Sequence, residues 1–143
     1  MNGIFRALLL GFFATHIPIT LLVDMQSVFG AYYPAPIRNL FLWYGRSFND
    51  PLMNPDMGGG DLNKWWLHSF IYAETLFQLP FFFFAVSRLY SRNVNDSKWR
   101  VWSLIYGIHT ATTVLPIEAV FLASEELSGN ERLVLMALYA PSM

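Results

Sequence analysis

The sequence predicts an all-α membrane protein, a bundle of four transmembrane helices whose fourth member is cut short. Three observations carry this expectation. Charged residues make up 13% of the chain and hydrophobic residues 55%, whereas soluble domains carry about 25% charged residues. Three apolar runs, about 4–23, 65–87 and 101–122, each approach the roughly 20 residues that a helix needs to cross a bilayer. A fourth run, 133–143, begins in the same way but rises only about 16 Å, half of the roughly 30 Å apolar core. With 143 residues in total, the chain is expected to form one domain, 1–143.

The composition also excludes function classes. The net charge is −1 and no basic cluster follows a groove-binding pattern, so no nucleic-acid partner is expected. The absence of cysteine removes disulfides, zinc–cysteine sites and thiol chemistry. There is no HExxH, Walker loop, GxSxG or dinucleotide fingerprint, and Gly58-Gly59-Gly60 has no GK[ST] after it. No metal ligand, cofactor or catalytic residue is therefore assigned.

In the first run, Arg6 followed by apolar Ala7–Ala14 has the outline of a signal peptide. No small-x-small cleavage site follows and the run continues to Val23, so a retained helix is expected. His16, Thr20 and Asp24 are spaced i, i+4, i+8 and share one face of that helix. Lipid cannot be the neighbour of such a face, and Pro18 predicts a kink beside it. The connection 24–64 is too long to be structureless. Within it, Pro36–Tyr44 predicts a short interfacial helix with proline in its first turn. Asn49-Asp50-Pro51-Leu52 predicts a turn, and Gly58–Gly60 a flexible tip.

The second run opens with Trp65 and Trp66 and closes with Arg88 and Tyr90, residue types that sit at the two membrane interfaces. Near its middle lies Glu74, with Gln78 one turn later. A carboxylate at that depth costs at least about 2.5–3.5 kcal/mol on insertion scales, which marks a functional site. The Phe81–Phe84 run reads as lipid and core packing, and His68, near the interface, as solvated. In the third run His109 and Thr113 share a face. Glu118, toward the far end, reads as solvated. Arg6 and the basic 88–100 loop place the N-terminus and that loop in the cytosol.

Polar groups from three helices must then converge inward. The expected product is an intramembrane cavity with aromatic walls and few polar anchors: His16, Thr20, Asp24, Glu74, Gln78, His109 and Thr113. Two carboxylates facing one dry cavity cannot both ionise cheaply. Glu74 is expected to be the neutral, donating partner and Asp24 the charged one, suiting a lipophilic ligand with one amine or hydroxyl. The alternative is a structural pairing of Glu74 with His109 or His16.

Five blocks in order, HIPITLLVDMQSV (His16–Val28), YPAPIRNLFLWYGRSFNDPLM (Tyr33–Met53), AETLFQLPFF (Ala73–Phe82), IHTATTVLPI (Ile108–Ile117) and ERLVLMALYAP (Glu131–Pro141), resemble the sigma-2 receptor branch of the EXPERA membrane proteins. That group also holds the emopamil-binding sterol isomerase and the transmembrane 6 superfamily proteins. The resemblance implies a four-helix EXPERA bundle of the endoplasmic reticulum membrane, often a homodimer, that binds sterols and cationic amphiphiles. It implies a part in cholesterol homeostasis and lipid transport, with lysosomal cholesterol-transport proteins as partners. It implies ligand pairing at Asp24, a structural role for Asp50, the membrane-buried glutamate at Glu74 and the glutamine at Gln78. The wider group also implies an alternative, a delta8–delta7 sterol isomerase in which Glu74 with Asp24 or His109 supplies acid and base. The sigma-2 branch is the better match, so binding rather than catalysis is expected. The family's fourth helix runs on past the YAP block, which is why truncation is expected here.

Overall fold

The computed structural model describes residues 2–57 and 65–140, and every regular element among them is helical. The expectations for Gly58–Gly60 and for the end of the fourth run lie outside the described residues. Helix α1, Gly3–Ile19, is capped by the Asn2 side chain, which accepts from the Ile4 amide at 3.1 Å. It passes through Pro18, widens into a π turn at Thr20–Asp24, and continues as α2, Gln26–Phe29, and a 3₁₀ turn at Gly30–Tyr32. The helical run therefore extends well past Val23. It can do so because its later polar groups find partners within the protein. The Gln26 amide donates to the Leu22 and Ile37 carbonyls, and the Tyr33 hydroxyl donates to the Leu21 carbonyl at 2.6 Å.

Helix α3, Ala35–Ser47, starts behind Pro34 with Pro36 in its first turn, where a missing N–H costs nothing. The second span consists of α4, Trp65–Ala73, a second π turn at Glu74–Gln78, and α5, Leu79–Tyr90. Pro80 is the second residue of α5, one position beyond that wide turn's closing Leu79 amide. Its ring would press on the Leu76 carbonyl in a regular α-helix. Helix α6, Ser97–Ala123, begins at Asp96, whose carboxylate accepts from the Trp99 amide at 2.8 Å and pairs with Arg88 at 2.8 Å. Helix α7, Gly129–Tyr139, starts with a capping box between Ser128 and Glu131. The Arg132 guanidinium ties it back to the Phe121 and Ser124 carbonyls at the end of α6.

Three runs, Gly3–Tyr32, Trp65–Tyr90 and Ser97–Ala123, are long and apolar enough to cross a membrane, and α7 stands beside them. Two apolar clusters hold the bundle. One joins α4, α6 and α7 to the 48–54 turn through Leu52, Met53, Leu67, Ile71, Phe121 and Leu135. The other joins α1, α5 and α6 through Phe13, Phe81, Phe82, Ala85, Leu89 and Tyr106. Along α4–α5, Glu74 and Gln78 fall between Ile71 of the first cluster and Phe81 of the second. The packing reading of the Phe81–Phe84 run fits its inner residues, since Phe81 and Phe82 are buried while Phe83 is exposed.

Outside the spans, the chain folds tightly on Asp50. This side chain is fully buried and accepts from the amides of Leu52 (2.8 Å) and Met53 (3.3 Å) and from the hydroxyls of Tyr139 (2.8 Å) and Tyr44 (3.4 Å). Burial pushes its carboxyl above the usual aspartate range, and the donors, led by the Leu52 amide, pull it part of the way back. Gly45 permits the fold: a Cβ there would lie 2.8 Å from the Met53 carbonyl oxygen.

Candidate functional site

The two π turns face each other. In each, the next amide reaches back five residues, Met25 N to Thr20 O at 3.0 Å and Leu79 N to Glu74 O. Such turns are rare and are frequent at functional sites. Here they bring together the polar residues that stand out in the apolar spans. The Thr20 hydroxyl, at the start of the first turn, donates to Glu74 Oε1, at the start of the second, at 2.6 Å. Asp24, at the end of the first turn, interacts electrostatically with Glu74 and with the Thr20 side chain. Thr20 is fully buried, and both carboxylates are half-buried. The hydroxyl thus bonds Glu74 directly, with Asp24 beside the pair.

Gln78, at the end of the second turn, forms a separate pair with α6. Its side-chain nitrogen meets His109 Nδ1 at 3.3 Å, and the His109 ring lies 4.9 Å from that of Phe77. A cavity of about 410 Å³ begins on this side, lined by Leu76, Phe77, Pro80, Phe81, Phe84 and Trp102. Its wall is aromatic and aliphatic. Phe77 connects it to the Gln78–His109 pair. The expected cavity was centred on the carboxylates; the groove found here lies beside the amide–imidazole pair instead.

The remaining candidates are elsewhere. His16 donates through Nδ1 to the Phe12 carbonyl at 2.9 Å, and its ring packs 4.0 Å from Phe12 and 5.9 Å from Phe82. The i, i+4, i+8 stripe therefore divides, because the π turn changes the rotation per residue after Ile19. Thr113 is buried, and its hydroxyl donates to the Thr110 carbonyl of its own helix at 3.0 Å. Neither histidine hydrogen-bonds Glu74, so the structural pairing with His16 or His109 does not form.

Glu118 requires a correction. It was expected to be solvated, but it lies on the buried face of α6 with Val114 and Phe121, and neither carboxylate oxygen has a hydrogen-bond partner among the described residues. Its position near the helix end is outweighed by the packing around it. The Tyr139–Asp50 bond and the paired π turns also went unforeseen. The first joins residues too far apart in the chain for any local signal. A polar pair just ahead of Pro80 was the available clue to one turn. No group of three or more histidines or acids is placed to hold a metal among the described residues.

The fold and these polar turns can be set beside known proteins. The sequence profile of EXPERA, the EXPanded EBP superfamily, matches residues 36–143. The chain belongs to the EXPERA family. EXPERA proteins are membrane helical bundles, as this chain is. It is also similar to sigma intracellular receptor 2 of Homo sapiens and of Macaca fascicularis, each 40% identical over 143 residues covering 91% of this chain and 76% of theirs. The Xenopus tropicalis protein of the same name is 38% identical over 141 residues, with the same coverage of both chains.

Proposed function

We propose that this EXPERA protein is a non-enzymatic, sigma-2-receptor-like binder of sterols, lipids and cationic amphiphiles, formed by the whole chain as one domain. It resides in the endoplasmic reticulum membrane as a multi-pass homodimer, with the N-terminus and the 88–100 loop in the cytosol. Its task is cholesterol homeostasis or trafficking, in concert with lysosomal cholesterol-transport proteins. The observation that carries this reading is the meeting of Thr20, Asp24 and Glu74 inside a membrane span, where the Thr20 hydroxyl bonds Glu74 and Asp24 lies in electrostatic reach of both. Embedded acids with so few donors of their own retain acceptor capacity for a ligand amine or hydroxyl. Asp24 supplies the charge for an amine and Glu74 anchors Thr20. The cavity lined by Phe77, Phe81 and Trp102 receives the ligand's apolar body. Gln78 and His109 contribute its polar end, with His16 and Thr113 in support, and Asp50 holds the lumenal fold.

The test is equilibrium binding of a radiolabelled cationic amphiphile to purified protein in detergent. Asp24→Asn is expected to weaken binding at least about tenfold, the size of one charge-assisted contact, while the protein stays folded. Undiminished affinity in that variant rejects the ion pair. The rival reading is a sterol isomerase, which needs an acid and a base across one substrate. Neither histidine bonds Glu74, so Asp24 is the partner left for such a pair; the similarity to sigma intracellular receptor 2 favours binding. Conversion of a sterol with an 8(9) double bond by the purified protein would overturn this preference.

A further inference from the structure

A second concave site lies at the opposite end of the bundle from Asp50. The start of the first span at Gly3, the end of the second at Tyr90 and the start of the third at Ser97 meet there. Three span ends at one level mark a membrane interface, the depth of lipid phosphates. A cavity of about 320 Å³ opens at this level, lined by Gly3, Arg6, Arg92, Val94 and Asn95. Its only charged lining residues are the two arginines.

The backbone holds these arginines together. The Leu89 carbonyl at the end of α5 accepts from the Arg6 guanidinium at 2.9 Å and from the Arg92 amide at 3.3 Å. Arg6 is thereby fixed over the helix end that Arg92 closes. Arg92 sits at φ 59°, the left-handed position after a helix, where glycine is the usual residue. Side chains adopt this conformation at an energetic penalty. An arginine kept there, in place of glycine, is a local preference overridden, and such outliers cluster at ligand clamps.

Neighbouring charges do not neutralise the pair. Asp96, the nearby acid, is engaged by Arg88 at 2.8 Å and by the Trp99 amide. Arg100 is turned to the Asn95 carbonyl at 3.2 Å. No carboxylate bonds Arg6 or Arg92 among the described residues. Two guanidinium groups on one groove, each with N–H donors left over, match the oxygens of a phosphate.

We infer that the groove between Arg6 and Arg92 binds a phosphate group, presented by an anionic phospholipid headgroup or by a soluble phosphate ester. The site is separate from the Asp24–Glu74 pair and does not depend on the function proposed for it. Native mass spectrometry of the purified full chain in detergent, titrated with dioleoyl phosphatidic acid, reads lipid retention. A parallel titration uses glycerol 3-phosphate. Retention of phosphatidic acid, with about tenfold weaker retention for Arg6→Gln and for Arg92→Gly, is the expected result. Binding of glycerol 3-phosphate with equal affinity and the same arginine dependence also supports the site and assigns it a soluble ester. Arg92→Gly carries its own folding control, since it removes the strained conformation and should melt at or above the wild-type temperature. Lys98→Gln, in the first turn of α6 and outside the groove, should retain the lipid within roughly twofold. Wild-type retention in both arginine variants, or an equal loss in Lys98→Gln, overturns the proposal.

Discussion

Asp50 and the Asp24–Glu74 pair are acids of one chain in opposite circumstances. Asp50 is fully buried and receives four hydrogen bonds, two from amides and two from tyrosine hydroxyls. Asp24 and Glu74 are half-buried within or beside a membrane span, and the one side-chain hydroxyl between them, that of Thr20, bonds Glu74. A carboxylate offers about four acceptor positions. Those of Asp50 are filled by its own protein, so it can add order but not bind. Most of those on Asp24 and Glu74 are open. The difference separates a carboxylate that holds the fold from two that can meet something else, and it rests on donor count, not on burial.

The comparison can be broken most forcefully at Asp50. Asp50→Ala leaves two tyrosine hydroxyls and the Leu52 amide without their acceptor, while the Met53 amide keeps the backbone carbonyl of residue 50, and should destabilise the protein by about 3 kcal/mol or more. Thermal unfolding in detergent measures it; a melting temperature near wild type would show that the four bonds do not support the fold. Next is Gly45→Ala, whose new methyl meets backbone at 2.8–3.0 Å on the Met53–Asn54 side. Backbone cannot rotate away as a side chain can, and a loss of about 1–3 kcal/mol is expected in the same assay. At the membrane pair the matching change is Thr20→Val, which removes the hydroxyl bonded to Glu74 but keeps the shape. It should lower stability by only about 1 kcal/mol while altering amphiphile affinity. A stability loss as large as that of Asp50→Ala would erase the distinction between the two kinds of acid.

The smallest effect is a pH drift. Burial raises the folded-state proton affinity of Asp50, so its stabilising contribution is complete below the ordinary aspartate value of about 3.9 and declines as pH rises through the folded value. Asp50→Asn does not titrate. The wild-type melting temperature should therefore fall relative to Asp50→Asn as pH rises above about 4. A difference that grows in the opposite direction would mean that the four donors outweigh burial.

Much of the fold was legible because the signal is one-dimensional. Hydropathy and length mark the three spans, and proline marks the start of α3. Thr20, Asp24 and Glu74 were conspicuous for the same reason, as polar residues in apolar runs. Their partners were less legible. Face assignments assumed 3.6 residues per turn, and the π turns break that spacing where it matters. His16 consequently turns to Phe12 and Phe82 while Thr20 meets Glu74. Glu118 was misread because burial near a helix end depends on what packs against it. The Asn-Asp-Pro turn at Asp50 was visible, but its bond to Tyr139 spans 89 positions and belongs to tertiary structure alone.

The π turns also make length, and not only residue identity, a constraint on this protein. Each is a helix carrying one residue more than an α-helix would use. A one-residue deletion within Thr20–Asp24 would let the regular helix close and rotate α1 by about 100° relative to α2. Phe13 would leave its place against Phe81 and Phe82, and Arg6 would swing off the Leu89 carbonyl. Substitutions at these turns adjust a contact, whereas deletions change the register of an entire span.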